Sequence, residues 1–163
     1  SISDRIVVMQ SGVIQQIGKP QDVYDDPVNL FVAKFLGTPP INVFVGKVKD
    51  GGLYIGDDCI LAAMDVPDRE VYIGIRPEGF ILREDGPLCC TLGGLEVMGR
   101  DISVVSSHPG CQAPTIRSII SAENRVDLAS GTVRFAVKPN KVFVFDQENE
   151  ERIRFSAGDT CHG

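Results

Sequence analysis

The sequence predicts a mainly β protein with a short α/β segment at its start, and three observations carry that prediction. From Ile41 onward the chain reads as short strand-like runs separated by turns, with no helical period sustained beyond two turns. Helix signals gather instead in the first forty residues. A strand, proline corner, strand pattern also occurs twice in the later part, as expected for two related β units building one barrel.

The first elements read in order as strand, turn, strand and two short helices. Arg5-Ile6-Val7-Val8-Met9 is a continuous apolar run, the pattern of a strand buried on both faces. Gln10-Ser11-Gly12 supplies a turn, and Val13 to Gly18 continues as the second strand. Pro20 opens a short helix, where its missing N–H costs nothing, and Asp25-Asp26-Pro27 stops it. Asn29 is the expected N-cap of a second helix running to Leu36, with Gly37 as its stop and Thr38-Pro39-Pro40 barring extension. That helix is apolar nearly all round, so it must be covered on more than one side. Two strands and two short helices cannot bury each other, so residues 1–40 are expected to be the edge of a larger domain.

The strands expected after that are 42–48, 53–55, 59–62, 70–76, 80–82, 89–97, 101–106, 115–120, 132–138 and 141–146. Turn residues punctuate them at Asp50-Gly51-Gly52, Gly56-Asp57-Asp58, Glu84-Asp85-Gly86, His108-Pro109-Gly110 and Ser130-Gly131. Asn124–Asp127 reads as a single helical turn. The repeat aligns Val71–Leu82 with Val133–Val144, setting Arg76-Pro77 against Lys138-Pro139. In each copy the proline fixes φ and withholds an N–H from any ladder, so each copy is expected to turn a corner. The segment from Gln147 is polar, and fraying is expected over 156–163.

Composition excludes several function classes. No apolar run approaches the roughly 18 residues needed to span a bilayer, and no secretory leader precedes Ser1-Ile2-Ser3-Asp4, which sets a cytoplasmic expectation. The net charge of −6, with no basic run longer than two adjacent residues, argues against nucleic acid as a partner. Cys59, Cys89, Cys90, Cys111 and Cys161 have no regular spacing, so reduced, mostly buried thiols are expected. His108 and Cys111 alone do not make a zinc site. With His162 at the tail and His108 in a Pro-Gly turn, no general base is credibly placed, and an enzyme in its own right is not expected.

Several blocks in order resemble one family, the ATP-binding subunits of maltose-type and multiple-sugar ABC importers. They are Ser3–Met9, Gly12–Gly18, Pro20–Tyr24 with Pro27, Phe31–Gly37, Ile41-Asn42, Gly74-Ile75-Arg76-Pro77-Glu78, Val97–Asp101 and Phe143–Asp146. The resemblance implies that residues 1–40 are the C-terminal edge of a nucleotide-binding domain, cut from its body. It implies that residues 41–155 are a transport-associated OB-type β-barrel, the regulatory domain. ATP and magnesium would belong to the parent protein, with no cofactor or metal on this chain. No Gly-x-x-x-x-Gly-Lys-Ser/Thr loop occurs here, nor a Leu-Ser-Gly-Gly-Gln signature, and the family's switch histidine would lie before Ser1. This chain is therefore not expected to hydrolyse ATP.

The resemblance further implies a second copy as partner, membrane-spanning permease subunits reached through the parent protein, a regulatory protein in some members, and a place at the inner face of the cell membrane. The candidate regulatory and interface residues are Arg76, Pro77 and Glu78, followed by Arg100 and Asp101. Arg76 and Glu78 read equally as a local ion pair beside the corner. Met98-Gly99-Arg100 reads as a bulge or tight bend. The alternative function is an oxyanion- or ligand-binding OB module, for which Ser106-Ser107-His108 and Ser118 would be donors.

Overall fold

The computed structural model describes residues 4–156. It begins with an antiparallel hairpin of β1 (Ile6–Gln10) and β2 (Val13–Gly18). The two-residue turn between them has φ 50° at Ser11 and 80° at Gly12, a left-handed pair that matches the twist of the flanking strands. Helices α1 (Pro20–Asp25) and α2 (Leu30–Phe35) follow. Pro20 opens α1 as the sequence requires. Asn29 caps α2, its Oδ1 accepting from the Val32 N–H at 3.0 Å, and Gly37 leaves the helix at φ 108°.

The rest is β. Strands β3 (Asn42–Lys49), β4 (Gly52–Ile55), β5 (Asp58–Ala62), β6 (Arg69–Ile75), β7 (Phe80–Leu82), β8 (Leu88–Met98), β9 (Asp101–Ser107), β10 (Ile116–Ser121), β11 (Thr132–Val137), β12 (Val142–Asp146) and β13 (Arg152–Ile153) form two antiparallel sheets. One runs β10-β9-β8-β11-β7 and curls until its edge strands approach, giving a nearly closed, OB-like barrel wall. The other runs β13-β12-β6-β3-β4-β5. Their inner faces share one core, which includes Phe44, Leu53, Ile73, Leu88, Ile116 and Phe135, each fully buried. The helical turn expected at Asn124–Asp127 falls instead on Leu128–Ser130, where the Asp127 carboxylate caps the Ala129 N–H. The polar tail contributes one unforeseen strand, β13, paired with Val144 and Phe145.

The internal repeat folds as a pseudo-two-fold pair. β6 passes through the 3-10 corner Pro77–Gly79 into β7, crossing from the six-stranded to the five-stranded sheet. β11 passes through the corner Pro139–Lys141 into β12 and crosses back. Each strand pairs with the opposite member of the other copy: Ile75 faces Val142, and Phe80 faces Val137. The corners exchange reciprocal hydrogen bonds, Arg76 N–H to Lys141 C=O at 3.1 Å and Lys138 N–H to Gly79 C=O at 2.8 Å. A second cross-sheet tie is Asn42 on β3. Its amide donates to Ile75 C=O at 3.1 Å and Arg117 C=O at 3.0 Å, and accepts from Arg117 N–H at 2.9 Å.

Two expectations for the first forty residues need correction. β1 is not buried on both faces: Val8 is fully buried, but Val7 and Met9 are each 49% exposed. Helix α2 does find cover within the chain. Val32 packs with Val8 and Val23, while Leu30 and Ala33 pack with Ile41, Val43, Phe143 and Phe145. Apolar surface remains at Phe35 of α2, 58% exposed, and on the hairpin, where Val13, Ile14 and Ile17 are each more than half exposed. Among the described cysteines, Cys89, Cys90 and Cys111 are free thiols and Cys59 is disulfide-bonded, so the expectation of reduced thiols fails at Cys59. Residues 157–163, including most of the expected frayed tail, lie outside the described residues.

Candidate functional site

The candidate residues divide into a buried pair and an exposed group. Arg76 is 1% exposed and Pro77 is buried. The Arg76 guanidinium donates to three backbone carbonyls at or near helix ends: Tyr24 at 2.8 Å, Ala33 at 2.9 Å and Leu36 at 3.1 Å. Helix C-terminal carbonyls lack intrahelical partners and carry partial negative charge, so a cation satisfies both needs. The guanidinium carbon also lies 3.9 Å from the Tyr24 ring centroid, a stacking geometry that suits a planar cation. Burial lowers the Arg76 pKa, and the nearby Tyr24 and Glu78 oppose that shift. Its Nε is buried without a partner.

Glu78 does not form the expected ion pair with Arg76. It accepts from the Tyr24 hydroxyl at 2.7 Å and 3.0 Å, and the Lys141 ammonium stands 3.6 Å away. Lys141 also faces Asp25 at 3.8 Å. Burial, then the bond to Glu78, raises the Tyr24 pKa above its ordinary value. A second joint holds the residue that follows α1. Arg152 and Arg154 on the C-terminal side donate to the Asp26 carboxylate at 3.0 Å and 2.7 Å, and these bonds hold its pKa below the ordinary range. Arg152 also donates to Pro27 C=O at 2.9 Å and stacks 4.7 Å from the Phe143 ring centroid. Phe143 thus has Arg152 near one part of its surface and Arg76, at 5.6 Å, near another.

Arg100 and Asp101 lie apart from that cluster, exposed at the tip of the β8–β9 hairpin. Gly99 takes φ 66° in the two-residue turn before Asp101, as the expected tight bend requires. Val97 and Met98 beside it are 73% and 53% exposed. A shallow groove of about 370 Å³ brings Asp101 and Glu78 to one surface, with Phe80, Ile120 and Lys138 also lining it. Of the proposed oxyanion donors, Ser106 and Ser118 are buried, whereas Ser107 and His108 are half-buried. Sequence reasoning missed Tyr24, Lys141 and Arg152, since nothing local marks residues that meet the corner only after folding.

Among the described residues, no helix is long and apolar enough to cross a membrane. Nor, among them, do three His, Cys, Asp or Glu side chains gather as a metal site requires.

No family model matches the chain. Curated relatives do. The chain is 31% identical over 155 residues to the sn-glycerol-3-phosphate import ATP-binding protein UgpC of Jannaschia sp., covering 94% of this chain and 43% of that protein. It is 37% identical over 177 residues to the oligosaccharides import ATP-binding protein MsmX of Bacillus subtilis, covering 94% and 46%. It is 29% identical over 177 residues to the diacetylchitobiose uptake system ATP-binding protein MsiK of Streptomyces coelicolor, covering 94% and 47%. The chain therefore spans less than half the length of these relatives. Alignment over nearly all of this chain leads to one conclusion: the chain corresponds to the C-terminal part of proteins of this kind, the ATP-binding subunits of ABC importers.

Proposed function

We propose that residues 41–155 are the regulatory and dimerisation domain of an ABC importer's ATP-binding subunit, and that residues 1–40 are the edge of its nucleotide-binding domain. The observation that carries this reading is the contrast in surface between the two parts. The two sheets share a continuous buried core, whereas the β1–β2 hairpin leaves Val7, Met9, Val13, Ile14 and Ile17 about half exposed or more. A two-stranded sheet with a bare apolar face is not independently stable and implies cover from elsewhere. The relatives, more than twice as long as this chain, have room for that cover.

In this reading the β domain holds two ATP-binding subunits together while their catalytic domains separate and rejoin. A tether of that kind makes reclosure intramolecular, at a high effective concentration, without opposing the opening. Glu78, Arg100 and Asp101 have surface for such contacts; Arg76 and Pro77 have none. The relatives' names point to sugars and glycerol phosphate as solute classes. In the parent protein ATP and magnesium would sit in the nucleotide-binding body, with the permease subunits placing the assembly at the inner face of the membrane. The test is sedimentation of this chain over a wide concentration range. Reversible dimer formation is expected, and a monomer at every concentration would overturn the dimerisation reading.

A further inference from the structure

We propose that Arg76 is the clasp that makes the N-terminal segment and the β domain one cooperative unit, so that release of this single side chain frees the segment while the barrel stays folded. The proposal rests on the functional reading above and deepens it, because it names the contact through which a catalytic edge and a regulatory barrel would sense one another.

Arg76 belongs to the barrel by position, at the end of β6 where the two sheets exchange strands. Its side-chain hydrogen bonds, however, all lead to the other part: the Tyr24, Ala33 and Leu36 carbonyls are 52, 43 and 40 residues away in sequence. The pseudo-symmetric position supplies an internal control. Lys138 occupies the equivalent place in the second corner, makes the same backbone exchange, and is exposed. The corner therefore forms without a buried cation. The guanidinium at Arg76 is not required to turn the chain; its bonds hold α1 and α2.

The clasp adds a polar contact to the apolar packing of Leu30 and Ala33 against Ile41, Val43, Phe143 and Phe145. Its Nε is buried with no partner, and the Arg152 Nε at the second joint is in the same state. Buried polar atoms left unpaired lower the net stability of a contact, so this joint is strong in specificity but limited in free energy. A contact of that kind opens locally before the core does.

The test is hydrogen exchange on the full 163-residue chain, comparing wild type with Arg76→Met and Arg76→Lys. In the wild type the hydrogen-bonded amides of Val23 and Ala33 should exchange with protection approaching that of β6 and β12. In Arg76→Met, the amides of α1 and α2 should exchange about 30- to 100-fold faster, with β6 and β12 changed less than about threefold. Arg76→Lys keeps the charge but cannot reach three carbonyls, so it should show the same selective release in smaller measure. Equal acceleration of helices and barrel, no acceleration anywhere, or failure of both variants to fold would each overturn the clasp and make Arg76 an ordinary core residue. The variants are compared at one protein concentration, and selective release of α1 and α2 is read whether the chain is monomer or dimer, so this result and the sedimentation result fail separately.

Discussion

Tyr24 grips both residues that flank Pro77: its ring stacks on the Arg76 guanidinium at 3.9 Å, and its hydroxyl donates to the Glu78 carboxylate at 2.7 Å. The two contacts separate cleanly by substitution. Tyr24→Phe keeps the ring and removes one hydrogen bond to a charged acceptor, which should cost about 1–2 kcal/mol. Tyr24→Ala also uncovers Arg76 and should cost about 3–4 kcal/mol. Urea denaturation checks both values, and equal losses for the two variants would show that the stacking contributes nothing. Since the folded-state pKa of Tyr24 is raised above its ordinary value of 10.0, its contribution is full below that pH and declines as pH rises beyond it.

Asn42 is the point at which the six-stranded sheet is tied to β10. Asn42→Ala would strand the Ile75 carbonyl and both backbone groups of Arg117 that the side chain now satisfies. A loss of about 2–4 kcal/mol is expected, with the urea dependence unchanged, because the exposed area on unfolding stays the same. A change below half a kcal/mol would mean that water replaces the amide without cost.

These two sites show what was legible from sequence. The caps of α2 and most strand boundaries could be read because each depends on a residue and its immediate neighbours: Asn29 before Val32, Gly37 after Leu36, turn residues between apolar runs. The repeat was legible as a pattern. Its pairing, β6 with β12 and β7 with β11, was not, because no local feature specifies which distant strand supplies the partner edge. Arg76 misled for the same reason. Beside Pro77 and Glu78 it reads as half of a surface ion pair, and its burial is imposed by carbonyls that arrive from α1 and α2. β13 was hidden because Arg152 is polar, and it is placed by Asp26, Pro27 and Phe143.

His108 should give the chain a stability step in mild acid. Burial holds its pKa below the ordinary imidazole value of 6.5, with the nearby Asp58 carboxylate opposing the shift. Its Nδ1 accepts from the Gly110 N–H at 2.9 Å, which only the unprotonated nitrogen does, and its ring meets Phe44 edge-on. The folded-state value is depressed, so the His108 contribution is complete above the unfolded value and is lost as pH falls below it. Melting should drop more between about pH 7 and pH 5.5 for the wild type than for His108→Gln. Identical drops in both proteins would assign the acid step to other groups.

The bare face of the β1–β2 hairpin sets the condition under which the dimer test has meaning. Ile14 and Ile17 are 55% and 52% exposed, so two chains can adhere through them without any contact between β domains. Replacing both with charged residues, as Ile14→Lys with Ile17→Glu, should change unfolding stability by no more than about 0.5 kcal/mol for each exposed position. It should also suppress concentration-dependent aggregation. If the dimer belongs to the β domain, the doubly substituted chain still sediments as a dimer, and reversing the charges of Arg100 and Asp101 then weakens it. If substitution of the hairpin alone leaves a monomer, the association of this chain arises from an apolar edge that the longer relatives are proposed to cover, and the β domain loses its claim to be the tether.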